Sequence, residues 1–246
     1  NGGIQAFPLL LKPVSFDCNL RCRYCFYLSK ATLFGAGRHR MDSETLAEVT
    51  RRYLALPMEQ YTFLWQGGEP TLAGVDFFHE AIRLQQRYSR GGRIFNAIQT
   101  NGTLLDERWG GLLRKNRFLV GISVDGPARL HDRFRLRADG GGSYREVVHG
   151  LGILKRHHVE FNVLALVSAA NQEHPEEVYH HLKELGIRFQ QYIECVEFDW
   201  AGRLQPFTVK PGNWGEFLCR IFDEWYREDR GKVSIRLFDS ILSRLV

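Results

Sequence analysis

The sequence predicts an α/β fold: an incomplete (β/α)6 TIM-like barrel with parallel strands. Apolar runs of strand length alternate with segments of helical period along its 246 residues. The runs are hydrophobic almost throughout rather than at every second residue, as suits strands covered by helices on both faces. Residues able to do chemistry recur just past the ends of those runs, where open and closed parallel sheets carry their sites.

The first strand is expected at Pro13–Asp17 and the second at Thr62–Gln66. Arg93–Thr100, Phe118–Val124, Val159–Val167 and Arg188–Cys195 complete six. Between them, helical period marks Ser43–Leu56, with Ser43 as the cap, Val75–Tyr88, and Leu105–Lys115, which has Asp106 and Glu107 in its first turn. Tyr144–His157 and Pro175–Leu185 follow; Pro175 suits a first turn and Gly186 a stop. Trp214, Phe217, Leu218, Ile221, Phe222 and Trp225 stripe one face of a sixth helix. Cys219 on that helix reads as a packing residue, and Cys195 as a small apolar residue at a strand end.

Apolar residues at 44% suffice for one large core, and no run nears the 18 or so apolar residues of a membrane span. A basic, apolar, small-residue leader is absent from Asn1–Leu11, which points to a cytoplasmic protein. The net charge of +5 is scattered rather than clustered, which argues against nucleic acid as a partner.

Three of the five cysteines, Cys18, Cys22 and Cys25, fall in one Cys-x3-Cys-x2-Cys segment. A disulfide framework would spread them, so clustering points to metal. Thiolates suit iron–sulfur clusters or zinc. A cubane normally takes four thiolates, and three leave one iron open for chemistry. Structural zinc would need a fourth ligand, and the doublets His157-His158 and His180-His181 each point in two directions. A zinc- or RNA-binding module is the alternative of a different class.

The triplet, with Tyr24 before its last cysteine, resembles the signature of the radical S-adenosylmethionine (SAM) superfamily. That resemblance implies a [4Fe–4S] cluster on Cys18, Cys22 and Cys25, with SAM on its open iron. The cluster's electron then cleaves SAM, and a 5′-deoxyadenosyl radical takes a hydrogen from the substrate. Gly67-Gly68-Glu69-Pro70 is similar to the family's GGEP motif, which assigns Gly68 and Glu69 to the SAM methionine. Ser123 and Arg135 are expected on its carboxylate or ribose, with Arg133 and Arg137 as rivals; Tyr24 and Val196 are expected as further contacts. Gln99-Thr100-Asn101-Gly102 ends a strand near that place and is assigned no contact.

The segments KPVSFDCNLRCRYCFYLSK, WQGGEPTLAG, IQTNGTLLD, SVDGPARLHDRFR and FNVLALVSAAN together look like the anaerobic sulfatase-maturating enzymes. This family oxidises a cysteine or serine of a sulfatase polypeptide to Cα-formylglycine, with electrons exchanged through a flavodoxin- or ferredoxin-like partner. Its members continue into a C-terminal domain with auxiliary clusters and the proposed base. Residues 10–230 are therefore expected to form the radical SAM core and 231–246 to begin the extension. The chain as given is expected to bind one cluster and SAM without completing substrate oxidation. A maturase that crosslinks ribosomal peptides is the nearest alternative.

Overall fold

The computed structural model of the chain describes residues 5–28, 33, 35 and 37–245, with the Leu245 side chain excepted. Ser29-Lys30, which close the first resemblance segment, the first four residues of the expected leaderless terminus, and Val246 lie outside the described residues.

Among the described residues seven strands run β1 (Pro8–Leu11), β2 (Gln60–Trp65), β3 (Arg93–Thr100), β4 (Leu119–Ser123), β5 (Glu160–Val167), β6 (Phe189–Glu194) and β7 (Ser234–Ile235). Their order in the sheet is their order in the chain, all parallel, with β1 and β7 at its two ends. Helices separate them: α1 (Ser43–Leu54), α2 (Val75–Tyr88), α3 (Glu107–Lys115), α4 (Ala128–His131), α5 (Tyr144–Arg156), α6 (Pro175–Glu184), α7 (Pro211–Glu224) and, last, α8 (Arg236–Leu245). This is the predicted class, built from consecutive β–α units.

Two expectations about its ends are corrected. The first strand is Pro8–Leu11, paired Pro8 to Thr62 through Leu11 to Trp65, and not Pro13–Asp17. Pro13 has no N–H to extend a ladder, and Ser15 takes a left-handed φ of 54°, so Pro13–Phe16 turns instead. Its Val-Ser-Phe alternation imitates a strand because Val14 is buried in the turn. The two-residue β7, pairing Phe189 with Ser234, is too short to leave a hydrophobic run. The α1 cap is Asp42 rather than Ser43: its carboxylate accepts from Thr45 N at 2.7 Å. Asp106 caps α3 in the same way through Trp109 N at 2.9 Å.

The chain divides into two compact units, Asn1–Asn19, Ser29–Gly121 and His149–Glu160 in one, Leu20–Leu28, Ile122–Val148 and Phe161–Val246 in the other. The first unit centres on aromatic rings. Trp65 and Trp109 each meet Phe78 at 5.2 Å between ring centroids, and Phe63 stacks on Trp65. Inside this apolar core, Trp65 Nε1 and Gln85 Nε2 both donate to Asn96 Oδ1, and Asn96 Nδ2 donates to Gln85 Oε1. Asn96→Leu strands three buried polar atoms, each costing about 1–3 kcal/mol. The expected loss is about 3 kcal/mol or more, read as a lower urea midpoint; an unchanged midpoint contradicts it.

In the second unit Tyr179, Phe217, Ile221, Trp225 and Phe238 form the core, with Trp225 Nε1 donating to Val233 O. Cys219 is exposed, contrary to the expectation that it packs. Phe217 and Ile221, four apart, define the buried face of α7, and Cys219 midway between them points away. Among the described residues no helix is long and apolar enough to cross a membrane.

Candidate functional site

In the first unit the loop after β1 delivers Asp17, Cys18 and Asn19 to the loop after β2. Gly68 N donates to Ser15 O at 2.9 Å and Glu69 N to Asp17 O at 2.8 Å. A Cβ on Gly68 would lie 2.0 Å from Asp17 O, and one on Gly67, whose φ is 133°, 2.5 Å from Ser15 O. These glycines let two stretches of backbone meet, and that approach seats Cys18. His39 clamps the same loop: its N and Nδ1 contact the two Asp17 carboxylate oxygens at 2.8 and 3.0 Å.

Glu69 is buried, with only 1% of its surface exposed. Its Oε1 accepts from Thr71 N at 3.0 Å, Thr71 Oγ1 at 2.6 Å and Thr100 Oγ1 at 2.7 Å; Oε2 accepts from Asn101 N at 2.7 Å. Burial raises its pKa, and those donors pull it back. Glu69 therefore ties the GGEP loop to the end of β3, and the open acceptor position is on Oε2.

Beyond β3, Asn101 Nδ2 lies 2.9 Å from Asn19 Oδ1 and 3.7 Å from Cys18 Sγ. Asn19 Nδ2 returns a bond to Thr103 Oγ1 at 2.8 Å. Asn101 and Thr103 were assigned no contact from the sequence. Their signal there is slight, an Asn-Gly-Thr turn after a strand, which ordinary turn chemistry explains equally well.

In the second unit the cysteine loop is laced to the segment that carries Arg135. Arg21 N donates to Leu136 O at 2.7 Å and Arg23 N to Phe134 O at 2.9 Å. Cys25 N closes a turn on Cys22 O at 2.9 Å. Cys22, Tyr24, Cys195 and Leu20 form a buried cluster with Cys25, Phe134, Leu166 and Phe207 against it, so Cys195 is the small buried residue expected of it. Burial pushes the Cys22 thiol up to about 11, against the pull of Arg135, and raises Cys25 as well.

Arg135 and Asp125 make a buried ion pair, Nε to Oδ2 at 2.8 Å. Tyr24 Oη also donates to Asp125 Oδ2, and Leu166 N donates to Oδ1 at 3.0 Å. The guanidinium carbon sits 5.5 Å from the Tyr24 ring centroid. Asp125 engages only Nε, and among the described residues the two terminal amino groups of Arg135 make no hydrogen bond. Arg133 is exposed, and Arg137 pairs with Asp139 and Glu146 on the surface, so of the three arginines only Arg135 is buried with the cysteines. Ser123 ends β4 half-buried, and Val196 follows β6 half-exposed.

His131 fixes this frame. Its Nδ1 accepts from Asp125 N at 3.3 Å, so its proton is on Nε2, which faces Ser143 Oγ at 3.2 Å; Ser143 donates onward to Arg135 O at 2.8 Å. Burial drives the His131 pKa down to about 3, with Asp125 opposing and Arg135 assisting. The unfolded chain then binds a proton that the folded chain refuses between about pH 6.5 and pH 3. Stability is expected to fall as pH drops through that window. Urea midpoints at pH 7 and pH 5 test this: His131→Gln should flatten the difference, and an equal slope in both proteins contradicts the assignment.

Among the described residues no three His, Cys, Asp or Glu side chains gather as a site for one ion. A cubane takes each thiolate on a different iron, so its ligands need not converge. The donor chemistry in each unit fits such a group: in the first, a soft thiol with an amide N–H on its sulfur; in the second, two soft thiols beside a guanidinium whose terminal amino groups are unspent.

The model of the radical SAM superfamily matches residues 13–184. The chain belongs to that superfamily. The match takes in Cys18, Cys22 and Cys25, the GGEP loop, Asp125 and Arg135. Over 252 residues the chain is 40% identical to a serine-type anaerobic sulfatase-maturating enzyme of Bacteroides thetaiotaomicron, covering 96% of this chain and 61% of the relative. A cysteine-type anaerobic sulfatase-maturating enzyme of Clostridium novyi is 36% identical, covering 99% and 66%. Among solved structures, native anSMEcpe with bound AdoMet and Cp18Cys peptide matches with TM-score 0.89 at 37% identity, covering 97% of this chain and 66% of that one. The chain thus spans about three-fifths to two-thirds of these relatives. Streptococcus suis SuiB shares the fold at 16% identity and TM-score 0.65.

Proposed function

We propose that this chain is the radical-generating core of an oxidoreductase that converts a cysteine or serine of a sulfatase polypeptide to Cα-formylglycine. Cys18, Cys22 and Cys25 hold a [4Fe–4S] cluster; Tyr24, Gly68, Glu69, Ser123, Arg135 and Val196 contact SAM. Residues 10–230 form this core and 231–246 begin a C-terminal extension. When bound, the cluster and SAM supply an electron and a carbon radical able to abstract hydrogen from carbon.

The observation that carries the reading is the buried guanidinium of Arg135 beside Cys22 and Cys25. Its terminal N–H groups suit a carboxylate such as that of SAM, which they would take bidentately. Asp125 holds the guanidinium by Nε alone and keeps its plane fixed against Tyr24. Glu69 offers its remaining Oε2 position to an ammonium, and Val196 presents an apolar surface to adenine. The 36–40% identity to sulfatase-maturating enzymes supports the substrate assignment.

A flavodoxin- or ferredoxin-like donor and a reducing, cytoplasmic setting fit a chain whose five cysteines form no disulfide. The reconstituted chain, given SAM, dithionite and a peptide with a Cys-x-Pro-x-Arg core deuterated at the cysteine Cβ, is expected to place deuterium in 5′-deoxyadenosine. Cleavage of SAM with no deuterium transfer, from this peptide or its serine counterpart, removes the substrate assignment and leaves the radical chemistry.

A further inference from the structure

We infer that Asn101 is a positioning residue for the cluster: its amide N–H donates to the Cys18 sulfur and raises the reduction potential of whatever cluster that sulfur holds. The inference rests on the assignment of Cys18 as a cluster ligand.

The orientation of the Asn101 amide is decided by its neighbours. Oδ1 accepts from Thr103 N at 3.0 Å and from Thr103 Oγ1 at 2.8 Å. A backbone N–H can only donate, so the oxygen must face Thr103 and the NH2 group must face Cys18 and Asn19. Asn19 Oδ1, 2.9 Å away, takes one of the two amide protons and Cys18 Sγ, at 3.7 Å, lies near the other. The position is locked from behind as well, because Asn101 N is held by the buried Glu69 carboxylate. A chain of contacts thus runs from Glu69 through Asn101 to a cysteine 83 residues away in sequence.

Hydrogen bonds to cluster sulfurs draw off electron density and favour the reduced, more negative state, so they raise the potential. An amide held on three sides can do this without rearranging on reduction. Since cleavage of SAM needs the reduced cluster, the same bond sets how strong a donor the enzyme requires.

The test is EPR-monitored potentiometry, with iron content, on anaerobically reconstituted wild type, Asn101→Ala and Thr103→Val. Thr103→Val removes one of the two bonds that orient the amide, together with the acceptor of Asn19 Nδ2, and keeps the Asn101 side chain and its bond from Thr103 N. Asn101→Ala is expected to hold full iron with its potential shifted negative. SAM cleavage should slow with a flavodoxin-type donor and recover with a stronger chemical reductant. A purely structural role would lower iron content or stability without moving the potential of the loaded fraction. If Asn101→Ala takes no cluster, Thr103→Val decides, with a smaller negative shift expected. An unshifted potential in the deciding variant, with a loaded and SAM-cleaving wild type, overturns this inference alone. A wild type that takes no iron overturns the functional reading and this inference together.

Discussion

Replacing Arg135 by alanine is expected to unfold much of the second unit's site and to abolish SAM binding. Asp125 is 5% and Arg135 11% exposed at the side chain, and each is the other's counter-charge. Truncating one partner of such a pair leaves a buried, uncompensated charge and costs roughly 3–5 kcal/mol. Tyr24 and Leu166 would still donate to Asp125 but bring no positive charge. Arg135→Lys separates the two roles. The ammonium still answers Asp125, so the fold should persist, but a point charge cannot reach Asp125 and fork onto a carboxylate at once. Loss of one charged hydrogen bond, about 1.5–3 kcal/mol, predicts roughly ten- to hundred-fold weaker SAM binding by calorimetry on the reconstituted chain. Equal SAM affinity in Arg135→Lys and wild type would remove Arg135 from the cofactor site.

Gly68→Ala carries the next largest expected effect, and for a reason the motif does not advertise. Gly68 is not in a left-handed conformation; it lacks room. The new methyl would lie 2.0 Å from Asp17 O and 2.5 Å from two carbonyl carbons, all backbone atoms, with Asp17 O held by Glu69 N. The loop bearing Cys18 must move, at a cost of about 3 kcal/mol or more. Iron content after reconstitution should fall with it. Gly111→Ala is the control: it lies inside α3 with nothing within 4 Å of a new Cβ. That change should stabilise the chain by about 0.5–1 kcal/mol through helix propensity alone. Matching melting curves for the two variants would show that the close approach at Gly68 is not needed.

The two glycine substitutions show how far the sequence could be read. That GGEP marks a special turn was legible, because Gly-Gly-Glu after an apolar strand is an unusual string. What the glycines touch was not: Asp17 and Gly68 meet from distant parts of the sequence, and no local pattern encodes it. The middle strands were legible for a physical reason. Their apolar residues stand in runs of strand length, with one face buried and the other half-buried, and Arg93–Thr100 matches the expected bounds to the residue. The sheet's ends were not: β1 is four residues, β7 two, and the Val-Ser-Phe turn between Pro13 and Asp17 mimics a strand.

The site divides along the same line. Cys18, Cys22, Cys25 and Arg135 stand out by residue type and spacing. Asp125, the residue that orders Arg135, Tyr24 and His131, sits in an Asp-Gly-Pro string that suggests a turn. Asn101 and Thr103 are visible only through their contacts with Cys18 and Asn19. Residues that position others leave little trace in a single sequence, because any small polar side chain at a strand end looks alike.

The central claim is that Cys18, Cys22 and Cys25 hold a cluster that cleaves SAM, and one measurement addresses it most directly. The chain is reconstituted anaerobically with iron and sulfide, reduced with dithionite and given SAM; bound iron, sulfide and 5′-deoxyadenosine are measured together. The account predicts about four irons per chain and 5′-deoxyadenosine, both lost in Cys18→Ala, Cys22→Ala and Cys25→Ala. Zinc at about one per chain, with no cleavage of SAM, would contradict it.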